Sequence, residues 1–308
     1  VLLQIKAASL NYRDLLVPLR GYGSFTGTLP LVPISDGVGE IVEIGAGVTR
    51  VSVGDRACPI LMQKWIAGEP DLPRIRSSLG GPIDGVMQEY MVVNEDGLVK
   101  VPEYLADEEA ATLPCAALTA WSALVTEGNV KAGDMVLVQG TGGVSLFALQ
   151  FAKLLGATVI VISSSDDKLK RAAALGADEG LNYTNVPEWG KAVKKLAGGA
   201  GLDHIVEVGG EKTLLQSLKA IRPGGTISMI GVLSGANMEV SLGLILTRQV
   251  RLQGITVGHR DSFEAMTRAL AKHQVKPVID RVFACEELKE ALEYMRLGKH
   301  FGKRCIRF

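Results

Sequence analysis

A glycine-rich turn is the feature of this sequence most suited to binding chemistry. Residues 140–145 have the sequence Gly-Thr-Gly-Gly-Val-Ser and directly follow an apolar run, residues 135–139, that is typical of a buried strand. Gly140 can make the tight turn, Gly142 leaves the backbone open to an anion, and Ser145 is small enough for close packing of helix and strand. The N–H groups and dipole of a helix that starts here would hold that anion. We therefore predict that a dinucleotide pyrophosphate binds at Gly140, Thr141, Gly142, Gly143 and Val144.

A glycine-rich turn in some other α/β protein is the alternative, and the strand and helix periodicity around this turn favours the dinucleotide site. The type of dinucleotide depends on residues about 20 positions further on, where an NAD enzyme usually has an acid for the ribose hydroxyls. This sequence has Ser163, Ser164 and Ser165 there, followed by Lys168. Hydroxyls and an ammonium can bind a 2′-phosphate, so we predict a preference for NADP (NADPH) over NAD.

Two features of the same segment oppose that preference. Asp166 and Asp167 carry negative charge close to the expected phosphate. Ser163–Ser165 could also do no more than cap the next helix, with Lys168 a solvated surface residue.

The composition excludes several classes of protein. Lys plus Arg and Asp plus Glu both number 33, so the chain lacks the basic surface of a nucleic-acid-binding protein. No apolar run reaches about 18 residues, so we expect no membrane span, and signal-peptide architecture is absent. The 4 cysteines have no CxxC spacing, which favours a reducing, cytoplasmic setting over a disulfide framework. The chain starts in a strand-like run without Met, so we expect a preceding N-terminal segment.

The elements that must position the turn form an alternating series. Strand-like runs at 135–139, 158–162, 204–208 and 226–230 alternate with helical segments, which predicts a parallel sheet with right-handed crossovers. Residues 1–100 contain short β-type runs between Gly and Pro turns, and the tail after about 255 returns to short strands. The predicted fold class is α/β: a mostly β domain from 1–117 and 255–308, and a doubly wound parallel sheet from 118–254. Low net charge favours self-association, because subunits do not repel each other strongly. Residues 229–250 are expected to close the parallel sheet, and edge strands there would pair with those of a second copy in a homodimer.

Several separate segments together resemble the medium-chain dehydrogenase/reductase superfamily. They are AASLNYRD at 7–14, PISDGVGE at 33–40, VGDR at 53–56, LPCAALTAW at 113–121 and RPGG at 222–225. The resemblance extends along nearly the whole chain. It implies a GroES-like catalytic domain, a Rossmann domain and a substrate cleft between the two.

Departures from the zinc alcohol dehydrogenase pattern carry more information than the matches. The resemblance places Asn11 where such enzymes usually have Cys, and Ser35 and Asp36 where they have His and Glu. Only the third ligand position keeps the residue expected there, Cys115, which is otherwise simply a small buried residue; no structural-zinc cluster of four cysteines is present. A catalytic zinc needs three well-placed ligands, and these positions do not supply them. The sequence therefore resembles the zinc-free branch of the superfamily, which includes quinone oxidoreductases and zinc-independent alcohol dehydrogenase-like proteins.

Resemblance to that branch implies a set of site residues. Asn11 and Thr119 would lie on the nicotinamide and substrate side, with Lys168 and Tyr183 at the adenosine phosphate. Lys303 would be in a cofactor-facing tail. Tyr12 and Tyr22 are candidate proton donors, although either could equally be part of the pocket wall. The cofactor-binding set predicted for this chain is Gly140, Thr141, Gly142, Gly143, Val144, Ser163, Ser164, Lys168, Tyr183, Gly209, Gly231 and Lys303.

The expected reaction follows from the missing zinc ligands. Oxidising an unactivated alcohol removes a proton whose pKa is near that of water, a task usually assisted by zinc. A quinone or enone accepts hydride more easily, and neutral donors such as the Asn11 amide can stabilise the charge on its oxygen. We therefore expect reduction of a quinone or α,β-unsaturated carbonyl with NADPH. The alternatives are an alcohol dehydrogenase with an unidentified substrate, and a weakly catalytic protein that binds nucleotide or RNA.

Overall fold

The computed structural model describes residues 1–21, 23 and 26–308, and Tyr22 therefore lies outside the described residues. The chain divides into two compact units: Val1–Leu118 with Val257–Phe308, and Thr119–Thr256. The sequence-based borders lie after residues 117 and 254. Among the described residues, no helix combines the length and hydropathy that crossing a bilayer requires.

The strands and α-helices are numbered along the chain. The strands are β1 (Leu2–Ser9), β2 (Asp36–Glu43), β3 (Arg56–Pro59), β4 (Tyr90–Val92), β5 (Leu98–Lys100), β6 (Met135–Gln139), β7 (Thr158–Ser163), β8 (Glu179–Asn182), β9 (Leu202–Glu207), β10 (Ile221–Met229), β11 (Arg251–Gly254), β12 (Ile279–Ala284) and β13 (Lys303–Arg307). The α-helices are α1 (Arg13–Leu16), α2 (Leu72–Ile75), α3 (Asp107–Ala110), α4 (Leu118–Trp121), α5 (Gly143–Leu154), α6 (Asp166–Ala174), α7 (Trp189–Leu196), α8 (Leu214–Ala220), α9 (Leu242–Leu246), α10 (Arg260–His273) and α11 (Leu288–Arg296). Wider π-helical turns at Leu113–Ala117 and Ser122–Thr126 flank α4.

The first unit is built on a mostly antiparallel sheet in the order β12-β13-β1-β2-β3-β5, with β4 also paired to β1. Leu3 and Ile5 of β1 join Phe283 of β12 and Ile306 of β13 in one buried apolar cluster. The last strand, β13, pairs directly with β1, so that Ser9 lies opposite Cys305. This pairing brings Lys303 beside the end of β1.

The second unit contains a six-stranded parallel sheet in the order β11-β10-β9-β6-β7-β8. Read from β8, this is the Rossmann order 3-2-1-4-5-6, so the predicted fold class is confirmed. Leu137, Ile160, Ile205 and Ile227 are buried in one apolar cluster of the sheet. Such strands have near-continuous apolar sequences because helices cover both faces of the sheet. The order reverses between β6 and β9, where dinucleotide folds bind their ligand.

The strand at the open edge of the sheet is not within residues 229–250, where the sequence predicts it. That segment holds the end of β10 and the short helix α9, and the edge strand β11 follows it at Arg251–Gly254. All four residues of β11 are exposed. The sequence offered a weak signal here, because alternating Arg, Leu and Gln residues carry little apolar pattern.

Buried charges hold the segment that follows β1. The guanidinium of Arg13 donates to the carbonyls of Leu79 and Gly81, each at 2.6 Å, which ties this segment to the loop at 79–82. Asp14 accepts a hydrogen bond from the Asn11 N–H at 2.7 Å. Burial raises the pKa of the Asp14 carboxyl to about 6, although the nearby Arg13 partly offsets the effect. The local backbone around Asn11 is therefore fixed by charged groups that the fold has desolvated.

The pH dependence of the free energy of unfolding should reflect the titration of the Asp14 carboxyl. Its pKa of about 6 exceeds the ordinary value of 3.8, so the folded protein binds this proton more tightly than the unfolded chain. This contribution is fully present below about pH 4, and it is lost as the pH rises to about 6, by roughly 2–3 kcal/mol. Asp14→Asn keeps an acceptor for the Asn11 N–H and should flatten this part of the profile. Urea unfolding at pH 4, 5, 6 and 7 measures the difference.

Asp84→Asn is the matched control, because Asp84 also accepts a backbone N–H, that of Val32, but at an exposed position. Its profile should run parallel to that of the unmodified protein. A parallel profile for Asp14→Asn would contradict the expectation.

Candidate active site

The turn at residues 140–145 has the geometry that a pyrophosphate requires. Gly140 has a φ of +73°, which favours glycine, and its N–H donates to the Ile162 carbonyl of β7 at 2.7 Å. A Cβ added at Gly142 would meet no atom of the described residues within 4 Å, apart from its neighbours along the chain. Helix α5 begins at Gly143 without a capping side chain, so its first N–H groups have no side-chain acceptor from the cap position. Gly140, Thr141, Gly142, Gly143 and Val144 therefore form an open cradle that fits the pyrophosphate of a nicotinamide dinucleotide.

Ser145 occupies the third position of the motif, where dinucleotide-binding turns usually have glycine. Its hydroxyl is buried and donates to the Gln139 carbonyl at 2.7 Å. The bond ties the first turn of α5 to the end of β6. The small side chain thus both permits close packing and fixes the turn.

The residues predicted for the adenosine phosphate lie at the carboxyl ends of β7 and β8 or shortly after them. The Tyr183 N–H donates to the Ser163 carbonyl at 3.1 Å, so these two residues are neighbours. Ser164 is exposed and Lys168 half-buried, in the segment that leads into α6 and in its first turns. The helix-cap interpretation applies to Ser165, whose hydroxyl accepts the Lys168 N–H at 3.4 Å.

Both opposing acids are engaged with other side chains. Asp166 accepts a hydrogen bond from the Asn182 side chain at 2.9 Å. Asp167 forms an exposed pair with Lys170 at 3.6 Å. Both carboxylates thus have partners of their own, and Ser163 and Ser164 stand where an acid would bind ribose hydroxyls.

Gly209 and Gly231 lie at the same edge of the sheet, after β9 and β10. A Cβ at Gly209 would come within 2.2 Å of the Thr213 hydroxyl, and one at Gly231 within 2.4 Å of the Val208 carbonyl. Glycine is therefore required at both positions by packing of the loops, with or without a ligand. The second unit gathers all its predicted cofactor residues at the carboxyl edge of one sheet.

A buried polar cluster in the first unit surrounds Asn11. The Lys303 ammonium donates to the Asn11 amide oxygen at 2.6 Å and to the Leu10 carbonyl at 2.8 Å. The Asn11 amide nitrogen donates to the Ser35 hydroxyl at 3.3 Å, which in turn donates to Asp36 at 2.8 Å. The other Asp36 oxygen accepts the Cys115 N–H at 3.0 Å. We call these five residues, Asn11, Ser35, Asp36, Cys115 and Lys303, the Asn11 cluster.

Lys303 determines how the Asn11 amide is oriented. An ammonium is a donor only, so the amide atom that faces it must be the oxygen. The NH2 group then points to the Ser35 side. Asn11 is 8% exposed, so the residue is almost fully buried.

Burial shifts the pKa values of the ionisable groups in the Asn11 cluster. Desolvation raises the pKa of the Asp36 carboxyl, while the Lys303 charge and hydrogen bonds from Asn11 and Ser35 lower it. Desolvation lowers the pKa of Lys303, and the Asp36 charge opposes this shift. Burial, helped by the Asp36 charge, raises the pKa of the Cys115 thiol to about 12. Lys303 and Asp36 thus each offset part of the cost of burying the other.

The remaining predicted residues lie in different settings. Tyr12 is 46% exposed at the start of α1, so its hydroxyl is not held in the core. Thr119 is buried in α4 and belongs to the second unit, whereas Asn11, Tyr12 and Lys303 belong to the first. Lys303 is only 2% exposed, with its ammonium inside the Asn11 cluster.

Sequence reasoning did not assign a role to Ser35, Asp36, Gln139 or Glu207. Ser35 and Asp36 were noticed only as departures from a zinc pattern, yet they complete the Asn11 cluster. Glu207 is an acid within an apolar strand, and such a residue needs buried partners. That mismatch was the available signal.

The Asn11 cluster does not fit a catalytic zinc. Zinc in proteins takes thiolate, imidazole or carboxylate ligands, at least three of them in a catalytic site. Asn11 and Ser35 offer an amide and a hydroxyl, and Cys115 and Asp36 alone remain. Across the described ranges 1–21, 23 and 26–308, no group of three His, Cys, Asp or Glu side chains is suited to holding a metal ion.

Comparison with known proteins agrees with the fold. Residues 1–103 match the alcohol dehydrogenase GroES-like domain, and residues 143–272 match the zinc-binding dehydrogenase family. A zinc-type alcohol dehydrogenase-like protein of Schizosaccharomyces pombe is 44% identical over 98% of this chain and 89% of its own length.

Solved structures give the same result. A crystal structure of a candidate alcohol dehydrogenase from Sinorhizobium meliloti 1021 has a TM-score of 0.94 and 46% identity, covering 100% of this chain and 90% of that one. The structure of an NAD-dependent alcohol dehydrogenase has a TM-score of 0.90 and 34% identity, with coverage of 100% and 91%. With both domains matched in sequence and in fold, the chain belongs to the medium-chain dehydrogenase/reductase superfamily of oxidoreductases, among its alcohol dehydrogenase-like members.

Proposed function

We propose that this oxidoreductase reduces a quinone or an α,β-unsaturated carbonyl with NADPH, and that it does so without zinc. The observation that carries the proposal is the Asn11 cluster, in which an amide and a hydroxyl stand at positions where the resemblance places metal ligands in zinc alcohol dehydrogenases, beside the buried ammonium of Lys303. This donor set supplies hydrogen bonds and positive charge in place of Lewis acidity. It therefore suits an acceptor that takes hydride at a conjugated carbon and develops negative charge on oxygen.

The residues of the chain divide the work. The cradle at Gly140–Val144 anchors the pyrophosphate, and the reduced nicotinamide supplies the hydride when the cofactor is bound. The Asn11 amide hydrogens stabilise the developing charge on the substrate oxygen. Lys303 strengthens them, because a hydrogen bond received at the amide oxygen polarises the N–H groups. Thr119 orients the nicotinamide carboxamide or the substrate, and the Tyr12 hydroxyl or water delivers the proton.

Alcohol oxidation is the second candidate, and the names of relatives favour it. An NAD-dependent alcohol dehydrogenase and a zinc-type alcohol dehydrogenase-like protein are both similar over almost the whole chain. Without a metal, the positive charge of Lys303 would be the one group of the Asn11 cluster that could lower the pKa of a bound alcohol. We therefore rank carbonyl or quinone reduction first. A cytoplasmic setting is part of the proposal, since all four cysteines are free thiols.

The first test is activity of metal-free protein. After chelation and dialysis, the protein is mixed with NADPH and a panel of quinones, enones and aldehydes, and absorbance at the nicotinamide band is followed. We expect NADPH oxidation with at least one quinone or enone, and zinc well below one atom per chain by mass spectrometry. Asn11→Ala should lower kcat by about 100-fold, the effect of losing one preorganised donor.

The controls separate the candidate functions. Asn94→Ala changes an exposed asparagine that caps a short turn elsewhere in the first unit and should leave kcat unchanged. Activity that requires one zinc per chain, or turnover of alcohols alone, would support the alcohol dehydrogenase. Tight NADPH binding without turnover of any acceptor would favour a weakly catalytic nucleotide-binding protein.

A second prediction concerns the 2′-phosphate. Lys168→Ala should raise the KM for NADPH about tenfold and leave the KM for NADH nearly unchanged, because one charge-assisted contact is worth about 1.5–3 kcal/mol. Lys170→Ala is the matched control, since Lys170 is on the same helix but forms an exposed pair with Asp167. Steady-state kinetics with both cofactors measures the effect. Equal KM values for NADPH in the two variants would remove Lys168 from the site.

A third prediction concerns self-association. We propose a homodimer in which β11 pairs with β11 of a second copy, because this strand is exposed at the open edge of the parallel sheet. Leu242 and Leu246 of α9 add exposed apolar surface in the same region of the chain. Light scattering should give twice the 32.7 kDa of one chain. Leu252→Glu should yield a monomer because charge blocks edge pairing, whereas Leu196→Glu, an exposed leucine of α7, should remain dimeric.

A further inference from the structure

One carboxylate of the second unit is completely buried and accepts five hydrogen bonds. Glu207, the last residue of β9, is 0% exposed. Its partners on one oxygen are the Gly209 N–H at 2.9 Å, the Gly210 N–H at 3.1 Å and the Thr213 hydroxyl at 2.5 Å. Its partners on the other oxygen are the Gln139 side-chain amide at 2.6 Å and the Ser217 hydroxyl at 2.5 Å. Every contact is one that a carboxylate accepts, so the negative charge is fully satisfied in the core.

These contacts join the two turns at the place where the strand order reverses. Gln139 directly precedes Gly140, and its own carbonyl accepts the Ser145 hydroxyl. Gly209 and Gly210 form the loop after β9, the neighbour of β6 in the sheet. Glu207 is therefore bonded to the residue that begins the pyrophosphate turn and to the loop on the other side of the crevice. Dinucleotides in such sheets bind between these two loops.

The same pair of strands carries a second bridging acid at the opposite edge. Asp203, near the start of β9, accepts the Met135 N–H of β6 at 2.7 Å and the Arg222 guanidinium at 2.5 Å. Asp203 and Glu207 thus both connect β6 with β9 and with a neighbouring element. Asp203 acts at the amino edge of the sheet, and Glu207 acts at the carboxyl edge, where we expect the dinucleotide. A comparison of the two residues therefore separates an effect on stability from an effect on ligand binding.

Gln139 offers a way to break one link alone. Its amide oxygen is buried and has no hydrogen-bond partner among the described residues, while its NH2 group donates to Glu207 and Ser217. Replacing Gln139 by Leu removes an unpaired oxygen together with the two donated bonds, and because the buried Glu207 carboxylate then lacks one donor, stability should also fall. The contacts of Glu207 with Gly209, Gly210, Thr213 and Ser217 would remain.

We infer that Glu207 is a positioning residue for the dinucleotide, which sets the spacing of the pyrophosphate turn relative to the loop at 209–213 through Gln139 on one side and the glycine N–H groups on the other. This inference rests on the proposed function in that it assumes a nicotinamide dinucleotide in the cradle. A bridge of purely structural importance would change stability alone. A positioning residue changes the affinity for the cofactor as well.

The experiment compares Glu207→Gln, Gln139→Leu and Asp203→Asn in the full-length protein. Thermal unfolding gives Tm, and titration of nicotinamide fluorescence gives the Kd for NADPH and for NADH. Glu207→Gln and Asp203→Asn should both lower Tm. Glu207→Gln should weaken cofactor binding about tenfold, since charge-assisted hydrogen bonds are about twice as strong as neutral ones. Asp203→Asn should leave Kd within about twofold, whereas Gln139→Leu should weaken binding severalfold in addition to lowering Tm.

Equal Kd values for Glu207→Gln and Asp203→Asn would overturn the inference, and so would an unchanged Kd for Gln139→Leu. If Glu207→Gln does not fold, Thr213→Val removes one of the five donors and takes its place. If the unmodified protein binds neither NADPH nor NADH, the proposed function fails instead. Hydrogen exchange then tests the link by itself: residues 139–146 should exchange faster in Glu207→Gln than in Asp203→Asn, and equal rates would refute it.

Discussion

A buried ammonium is the constraint on which the first unit depends. Taking the Lys303 charge out of water costs several kcal/mol unless other groups compensate. The Leu10 carbonyl, the Asn11 amide oxygen and the nearby Asp36 charge provide that compensation. None of them would be in place if β13 did not pair with β1, because Lys303 begins β13 and Leu10 follows β1. The strand pairing and the buried charge therefore stabilise the same arrangement.

This arrangement fixes the chemistry that the Asn11 cluster can offer. Lys303 can face only the oxygen of Asn11, so the amide presents its NH2 group to the other side. Ser35 then accepts from Asn11 and donates to Asp36, which gives the chain of donors one direction. A zinc ion would need the reverse: ligand lone pairs directed at a common point. The resemblance places the metal ligands of zinc enzymes at three or four of these positions, where the side chains of this chain form a hydrogen-bond network instead.

The sequence was sufficient for the parts of the structure that depend on local patterns. Apolar strands alternating with amphipathic helices predicted the parallel sheet, and the glycine spacing at 140–145 located the turn at its carboxyl edge. The edge strand β11 was missed because it is short and polar. The partners of Lys303 could not be predicted from spacing, since Leu10 and Lys303 are 293 positions apart and meet only through the pairing of β13 with β1. A contact of that range has no local signal.

Glu207 illustrates the same limit and what can still be drawn from a sequence. An acid in the strand Leu202–Glu207 conflicts with the apolar pattern around it, and such conflicts between local and global preferences concentrate at functional sites. The pattern can say that partners must exist, because an unpaired buried carboxylate would cost too much. It cannot say that the partners come from the end of β6, the loop after β9 and helix α8. Both units therefore follow one rule: a buried charge, satisfied by backbone and side-chain groups, connects segments distant in sequence beside the residues that we expect to meet cofactor and substrate.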